Sequence, residues 1–405
     1  MSNSFQIGMG AATITPAIGC RMGGMGKVLS DKIHDDLYAR ALVFSHGGSR
    51  WAIVSADLVA LGRDTIDSAK DLIFHETGIP PQNICIHALH NHSGPLTYQF
   101  FEGYEPESDY MQELICKVAG GVEQAMRNQQ EAEIGFGSGY AILNVNRRVR
   151  MANGSVQMLF KPPTLTADPD LPPNGPTDHE LGIMAFRGGD GRLLGILANY
   201  SAHVICAAKT SHLGTVSADF PGELVGFLQS QTGAFAIHTN GACGNVHPIG
   251  FSEGFDRAKK TGEELGRTVL GVLPGIHFER CSRLRARMES LDLPYNREFM
   301  ETGKGRLKRR GDRSLSVLQV MAINDTAFVN VPCELFVEIG LAIKRKSPFK
   351  RTFIVSNSND YLSYVPTREA FAEGGYEPNL ARHISEAGAM LERQTLRMLA
   401  EIWNG

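Results

Sequence analysis

The sequence predicts an α/β fold in which mixed β-sheets are covered by helices. One observation is the length of 405 residues together with 42% hydrophobic and 20% charged residues, which provides enough apolar material for a large core. A second is that apolar, strand-like runs alternate along the chain with amphipathic helical stretches, a pattern typical of sheets covered by helices. We therefore expect either one large α/β unit or two closely joined lobes.

Six short apolar runs predict the strands. Each has the length of a buried strand and is bounded by turn or polar residues. The runs cover residues 51–58, 83–89, 193–200, 234–239, 327–331 and 352–356.

Three helices are predicted from apolar residues at helical spacing and from their end signals. The first covers residues 109–126 with Ser108 as its N-cap, the second ends at Pro274, and the third lies near the C-terminus. We expect the third helix to pack in the core. The apolar positions of the second and third helices are Ala258, Gly262, Leu265, Val269 and Val272, and Leu380, Ile384, Ala387, Leu391, Met398 and Ile402.

Two segments differ in composition from the rest of the chain. Residues 161–178 contain so many prolines that they predict a loop between two halves of the chain, which we interpret as a lid over a site. Residues 280–313 are rich in arginine, but apolar and basic residues alternate from Arg283 to Met288. This alternation favours a solvated hairpin over a nucleic-acid surface, even though the segment includes Lys308, Arg309 and Arg310.

Charge and cysteine content exclude several functional classes. The 40 Lys and Arg residues against 43 Asp and Glu residues give a net charge of −3, which argues against nucleic-acid and anionic-membrane partners. Residues 1–10 lack the features of a signal peptide, so we expect a cytoplasmic protein. We expect its partner to be a small-molecule substrate, and the sequence leaves open whether the protein forms a homo-oligomer. The seven cysteines form no Cys-x-x-Cys pair and are expected to be buried thiols, with Cys243 and Cys333 as alternative nucleophiles.

The segment from His90 to Pro95 carries the strongest functional signal. Two imidazoles, His90 and His92, follow the apolar run 84–89, and Gly94 and Pro95 form a turn after them. If the strand continues, its period of two points both rings to the same side, where they could bind a metal. The alternative is a pair of hydrogen-bonded structural histidines.

Several separated segments together resemble the catalytic domain of the neutral ceramidases, which are zinc-dependent amide hydrolases. His90 to Pro95 is similar to the family's His-Thr-His-Ser-Gly-Pro, with Asn91 in place of Thr, and the order of motifs at residues 8–16, 33–41 and 54–58 follows that of the family. The match covers nearly the whole chain. It implies a single catalytic domain over residues 1–405, with the loop 161–178 between two halves and without the immunoglobulin-like C-terminal domain of bacterial ceramidases.

The resemblance also implies a set of zinc ligands. His90 matches the first zinc histidine, and His203 ends a strand that matches the one carrying the second. Glu334, in Val-Pro-Cys-Glu, matches a zinc carboxylate, and Tyr364 in the tyrosine-rich turn matches a fourth ligand. Two histidines and one carboxylate are a donor set that leaves a position for water on a catalytic zinc ion. For each ligand, a packed or hydrogen-bonded structural residue is the alternative.

Four further residues are predicted to take part in catalysis. The resemblance implies that Tyr376 contacts substrate, that His92 moves protons or holds a polar group, and that Arg147 reaches the site. His247 stands where the family has a substrate-contacting serine, and we expect it to change what binds or which group carries the proton. Asp57 and Asp219 could orient the histidines or cap turns, and capping is the expectation for Asp219.

Three functions follow from these residues. The first is zinc-dependent hydrolysis of a linear amide in a substrate that is smaller and more polar than ceramide. The second is metal-dependent hydrolysis or β-elimination on a sugar-derived substrate, with a histidine as the base. The third is a metal-containing binding protein without turnover. The donor set suits manganese and iron as well as zinc.

Overall fold

The structure, a computed structural model, describes residues 4–24, 26–151, 153–158, 175–297 and 312–405. Within these residues the strands are, in chain order, β1 (Gln6–Thr13), β2 (Lys32–Ile33), β3 (Tyr38–His46), β4 (Ser49–Ala56), β5 (Ile84–Ala88), β6 (Gln130–Tyr140), β7 (Asn144–Asn146), β8 (Arg148–Arg150), β9 (Val156–Met158), β10 (Glu180–Gly188), β11 (Leu193–Tyr200), β12 (Thr215–Val216), β13 (Phe235–Asn240), β14 (Val246–Pro248), β15 (Phe278–Glu279), β16 (Leu284–Pro294), β17 (Arg313–Ile323), β18 (Thr326–Asn330), β19 (Glu334–Leu335), β20 (Arg351–Val355) and β21 (Tyr364–Val365). The helices are α1 (Arg63–Thr77), α2 (Ser108–Arg127), α3 (Asp219–Thr232), α4 (Phe255–Val272), α5 (Val337–Lys346), α6 (Arg368–Glu373), α7 (Tyr376–Leu380) and α8 (Ala387–Asn404).

The predicted fold class is confirmed. All six predicted strands are present as β4, β5, β11, β13, β18 and β20, with ends within two residues of those expected. They belong to two mixed sheets. The larger has the order β13-β11-β10-β6-β1-β3-β4-β5, with β15 pairing with β6, and the smaller has the order β16-β17-β18-β20. In both sheets antiparallel neighbours predominate, and the pairs β11–β13, β4–β5 and β18–β20 are parallel.

The two sheets and the helices form four layers. Along β3, Ala41 and Val43 pack toward α1 and α2, whereas Leu42 and Phe44 belong to an aromatic core shared with the smaller sheet. Helices α3 and α4 cover the other half of the large sheet, around β10, β11 and β13. Helices α5 and α8 cover the outer face of the smaller sheet. This alternation of inward and outward side chains is why the strands read as continuously apolar runs.

The segment after β20 joins the two edges of the large sheet. On one side, the backbone N–H of Ser356 donates to the carbonyl oxygen of Asn240 at the end of β13, at 3.0 Å. On the other side, the N–H of Asn359 donates to the carbonyl oxygen of Ile86 in β5, at 2.9 Å. Asn240 also donates from its side chain to the carbonyl oxygen of Leu89. The ends of β5, β11 and β13 are therefore brought together with the segments that contain β19 and β21.

Two details of the predicted helices are wrong. Ser108 is not the N-cap of α2, because the helix begins at Ser108 itself and its hydroxyl donates to the adjacent carboxylate of Asp109. The C-terminal helix begins at Ala387, so Leu380 lies in α7 and Ile384 lies in the connection between the two helices. The helical spacing of apolar residues continues across the break between α7 and α8, so the sequence pattern gives no sign of the break.

The two compositionally unusual segments are described only in part. The predicted hairpin is confirmed, since β16 and β17 pair in antiparallel register from Leu284↔Ile323 to Pro294↔Arg313. Lys308, Arg309 and Arg310 lie outside the described residues. So do residues 161–174 of the expected lid, while its last four residues, 175–178, are described. Within the described part of the chain, no helix has the combined length and apolarity needed to cross a membrane.

Candidate metal centre and pocket

His90 lies where the chain turns away from the direction of β5. The strand ends at Ala88, and His90 has a φ of 67°, in the left-handed region. The strand therefore does not continue to His92, and the expectation that strand alternation aligns the two rings is wrong. The rings nevertheless approach each other, with 4.8 Å between their centroids. A left-handed non-glycine residue costs on the order of 1–3 kcal/mol and persists only where surrounding contacts hold it.

Three histidine rings are each fixed through Nδ1 to a backbone carbonyl oxygen. The pairs are His90 with Val59 at 2.9 Å, His92 with Gly24 at 3.1 Å and His203 with Cys243 at 2.6 Å. Because a carbonyl oxygen only accepts hydrogen bonds, each Nδ1 carries the hydrogen and each Nε2 keeps its lone pair. This is how metal-binding histidines are usually oriented. One ring nitrogen from each of the three lies within 4.8 Å of the others.

Glu334 supplies a carboxylate to the same group. It is the first residue of β19, is 1% exposed, and places Oε2 at 3.2 Å from Nε2 of both His90 and His203. Burial and the charge of Arg147 lower the pKa of His203 to about 4, so this ring is neutral at pH 7. Burial alone would raise the pKa of Glu334, but the neighbouring histidines hold it well below its ordinary value. A carboxylate beside the neutral imidazole of His203 is a protonation state that favours binding of a divalent cation.

The polar atoms of this group fit a metal ion. Among the described residues, Nε2 of His90, Nε2 of His92 and Oε2 of Glu334 are buried and have no partner in hydrogen-bonding geometry. Buried polar atoms without partners are rare in proteins and call for an explanation. A lone pair on Nε2 of His90 and a lone pair on Oε2 of Glu334 cannot hydrogen-bond to each other, because both atoms are acceptors. A divalent cation between them would accept lone pairs from both. His90, His203 and Glu334 are the donors predicted from the sequence, and their role as ligands stays a prediction.

Two tyrosines complete the predicted set. Tyr364 pairs in register with Glu334 through the parallel strands β19 and β21, and its ring lies nearly parallel to that of His203 with 6.5 Å between centroids. Burial, followed by the charge of Glu334, raises the pKa of Tyr364 well above its ordinary value. Tyr376, at the start of α7, is 41% exposed and lies 6.0 Å from the Tyr364 ring. The structure thus brings all the predicted ligands and Tyr376 together.

Arg147 and His247 lie beside the candidate metal centre and are not among the residues that line the pocket. Arg147 donates from Nη1 to Nε2 of His247 at 2.6 Å, and the same atom lies 3.3 Å from Nε2 of His203. Nη2 of Arg147 donates to the carbonyl oxygen of Gly244 at 2.8 Å. His247 packs flat on Phe251, with 4.3 Å between ring centroids. Both predicted residues are almost completely buried, and a direct role for either in catalysis stays a prediction.

Sequence reasoning missed two residues of this site. Glu377 is fully buried and accepts from Nε of Arg147 at 2.6 Å and from Nη1 of Arg148 at 2.8 Å. Tyr361 donates its hydroxyl to Oε1 of Glu334 at 2.5 Å. The available signal was proximity in the sequence, since Glu377 follows Tyr376 directly and Tyr361 precedes Tyr364 by three residues.

The sequence also singled out Asp57, Asp219, Cys243 and Cys333, whose side chains form no hydrogen bond with the candidate ligands in the described part of the chain. Asp57 accepts from the N–H of Tyr38 and from Arg40 and contacts no histidine in the described structure. Asp219, the first residue of α3, accepts from the N–H of Phe220 and from the N–H of Ala207, but the N-cap position of the helix is Ala218, so the capping role of Asp219 stays a prediction. Cys243 and Cys333 are completely buried, and burial raises the pKa of both thiols, as expected for unreactive residues.

A cavity of about 320 Å³ opens onto the candidate metal centre. Its polar lining includes His90, His92 and Glu334 together with Tyr361, Tyr364 and Tyr376. The rest of the lining is mainly glycine and apolar or aromatic side chains: Met22, Gly23, Gly24, Gly26, Val59, Leu96, Phe100, Phe101, Tyr104 and Leu213. A concave, largely apolar pocket with a few convergent polar groups is the usual form of a small-molecule site.

The fold of this chain is similar to that of solved neutral ceramidases. A solved neutral ceramidase from Pseudomonas aeruginosa superposes with a TM-score of 0.81 at 18% identity, over 99% of this chain and 75% of that one. A second structure, a ceramidase complexed with C2, gives the same TM-score and identity over 100% of this chain and 76% of that one. No protein-family model and no curated protein matches the sequence. The resemblance found in the sequence is thus confirmed for the fold.

Proposed function

We propose that this protein is a zinc-dependent hydrolase that cleaves a linear amide bond in a compact substrate. The observation that carries the proposal is the convergence of Nε2 of His90 and Nε2 of His203 on Oε2 of Glu334, at 3.2 Å each, beside a pocket that His90 and Glu334 line. Nε2 of His90 and Oε2 of Glu334 have no hydrogen-bond partner among the described residues. Its fold, shared with the neutral ceramidases, favours amide hydrolysis among the reactions that such a centre supports. The donors alone suit several divalent metals, and zinc is proposed from the two-histidine, one-carboxylate set.

The pocket favours a compact substrate. Its volume of about 320 Å³ lies at the lower end of the range of roughly 300–1,000 Å³ that is usual for small-molecule sites. The aromatic and aliphatic lining fits an apolar acyl group, and the tyrosine hydroxyls fit the amide and its polar substituents. The substrate would therefore be an N-acyl compound with a short or medium acyl group.

The residues of the site can carry out the steps that amide hydrolysis requires. A bound zinc ion would supply an activated water molecule and polarise the amide carbonyl. His92 has a free lone pair on Nε2, because Gly24 holds its Nδ1 hydrogen, and it can accept a proton and later deliver it to the leaving amine. Tyr376, on the exposed side of the pocket, can donate to the oxygen on which negative charge develops. Arg147, which Glu377 holds, lies 3.3 Å from Nε2 of His203 and would help to orient that ring.

Amine release from a defined panel of compounds tests this proposal. The zinc-loaded protein would be incubated with N-acyl amino acids, N-acyl amino sugars and ceramides of different acyl length, and free amine and ultraviolet absorbance would be followed together. We expect amine release that is greatest for short and medium acyl groups and that is lost in Glu334→Gln. Glu369→Gln, at an exposed position of α6, is the matched control and should leave the activity unchanged.

Other outcomes of this experiment point to other functions. An absorbing, unsaturated product without free amine from a uronic-acid glycoside would indicate β-elimination and contradict amide hydrolysis. Stoichiometric zinc without turnover of any compound, together with binding of a panel member, would indicate a binding protein.

A further inference from the structure

The two carboxylate oxygens of Glu334 have different surroundings. Oε1 accepts a hydrogen bond from the hydroxyl of Tyr361 at 2.5 Å. Oε2 lies 3.2 Å from Nε2 of both His90 and His203 and has no hydrogen-bond partner among the described residues. One oxygen is thus held by the protein, and the other faces the metal-binding nitrogens.

Tyr361 is itself held firmly. Its ring is 4% exposed and makes edge contacts with Tyr98 and Phe100, at 4.9 and 5.6 Å between centroids. The guanidinium of Arg382 lies 5.8 Å from the centre of the Tyr361 ring and donates to the hydroxyl of Tyr98 at 2.6 Å. These buried contacts restrict rotation of the ring, so the hydroxyl stays directed at Glu334.

We propose that Tyr361 is a positioning residue that restricts Glu334 to binding the metal through one oxygen. A carboxylate that is free to rotate can bind a cation through both oxygens, and the second oxygen would then fill a coordination position. The hydrogen bond from Tyr361 occupies Oε1 and so keeps that position open for water and the amide carbonyl. This inference rests on the metal centre of the proposed function and does not depend on the identity of the substrate.

Tyr361→Phe removes this restraint while it keeps the ring and its packing. In the variant the buried Oε1 has no donor, and a bound cation becomes its best partner. We expect the variant to keep its metal and to show a higher coordination number. Turnover should fall by about 10–100-fold, which is the usual effect of removing a residue that orients a metal ligand.

Cobalt substitution measures the coordination number directly. Co²⁺ in a four-coordinate site absorbs visible light more strongly than in a five- or six-coordinate site, and geometry of this kind is diagnostic. We expect Tyr361→Phe with full cobalt content to absorb more weakly than the unaltered protein. Tyr104→Phe is the matched control: it removes another phenol of the pocket, which donates to the carbonyl oxygen of Val28, and the cobalt spectrum should not change.

The outcomes separate this inference from the proposed function. An unchanged spectrum at full cobalt content in Tyr361→Phe would overturn the positioning role and leave the hydrolase proposal standing. Loss of cobalt from this variant alone would also overturn it, because Tyr361 would then be needed for binding the metal. If the unaltered protein takes up neither zinc nor cobalt, the metal centre of the proposed function fails as well. X-ray absorption on the zinc-loaded unaltered protein needs no variant, and a two-oxygen carboxylate there would overturn the inference.

Discussion

At the scale of single residues, the protein separates the nitrogen that fixes each histidine from the nitrogen that is available for chemistry. His90, His92 and His203 all direct Nδ1 at a backbone carbonyl oxygen. Only His90 and His203 lie 3.2 Å from the carboxylate of Glu334, a separation that suits ligands of one tetrahedral ion. Nε2 of His92 has no hydrogen-bond partner among the described residues, and in the proposed function its lone pair serves proton transfer.

Alanine substitutions at these rings test that division of roles. We expect His90→Ala and His203→Ala to lose bound zinc during gel filtration, since each removes a ligand. His92→Ala should keep one zinc ion per chain, while its turnover falls by about 10²–10⁴-fold, as for loss of a general base. Metal content by atomic absorption, measured on the samples used for turnover, distinguishes the two classes. A His92→Ala protein that loses zinc as readily as His90→Ala would make His92 a ligand.

Lys70 on α1 allows a separate test of burial far from the metal centre. The side chain is almost fully buried, and burial lowers its pKa to about 8. In the unfolded chain the pKa of Lys70 is 10.5, so unfolding takes up a proton between about pH 8 and pH 10.5. The free energy of unfolding therefore rises with pH in that window. Below about pH 8 the lysine is charged in both states, and burying that charge lowers the free energy of unfolding by a constant amount. Lys70→Met should therefore stabilise the protein at pH 7, by at most about 3 kcal/mol.

Urea unfolding at pH 7 and pH 10 measures this effect. The advantage of Lys70→Met should shrink at the higher pH, where the native lysine is neutral. Lys260→Met, at an exposed position of α4, is the control and should show little change at either pH. A stability difference for Lys70→Met that is the same at both pH values would show that the substitution acts through packing alone.

At the scale of elements, close contact between β1 and α2 depends on glycine. A Cβ atom at Gly10 would lie 2.2 Å from the carbonyl oxygen of Gly121 and 2.7 Å from the backbone N of Ala125, both in α2. Gly120, on the same helix, has open space around its position. We expect Gly10→Ala to lower the free energy of unfolding by about 1–3 kcal/mol through overpacking. Gly120→Ala should raise it by up to about 1 kcal/mol, the difference in helix propensity. Urea unfolding of both variants checks this, and equal effects of the same sign would contradict it.

Sequence patterns predicted elements better than they predicted the positions of side chains. The predicted strands were found because buried strands between two layers are apolar on both faces, as β4 and β11 are. Strand alternation failed at His90, because one left-handed residue redirects the chain and apolar patterning carries no sign of it. The charge partner of Arg147 was missed because Glu377 lies 230 residues away in the sequence and meets it only in the fold.

At the scale of the whole molecule, the donors of the candidate metal centre come from parts of the chain that belong to different cores. His90 follows β5 and His203 follows β11, both in the large sheet, whereas Glu334 and Tyr364 begin β19 and β21 near the smaller sheet. The edges of the large sheet are already joined by the segment after β20. A cation bound by these donors would add a further link between the two sheets, and it would exist only in the folded chain.

Removal of the metal should therefore lower the stability of the whole fold. A ligand that binds only the native state stabilises it by about 2.7 kcal/mol when its concentration is 100 times its dissociation constant. We expect dialysis against a chelator to lower the melting temperature in calorimetry and added zinc to restore it, with a shift that grows with zinc concentration. His203→Ala should melt at one temperature with or without zinc, because a ligand is missing. If the unaltered protein responds no more than this variant, the donors do not bind a cation between the two sheets.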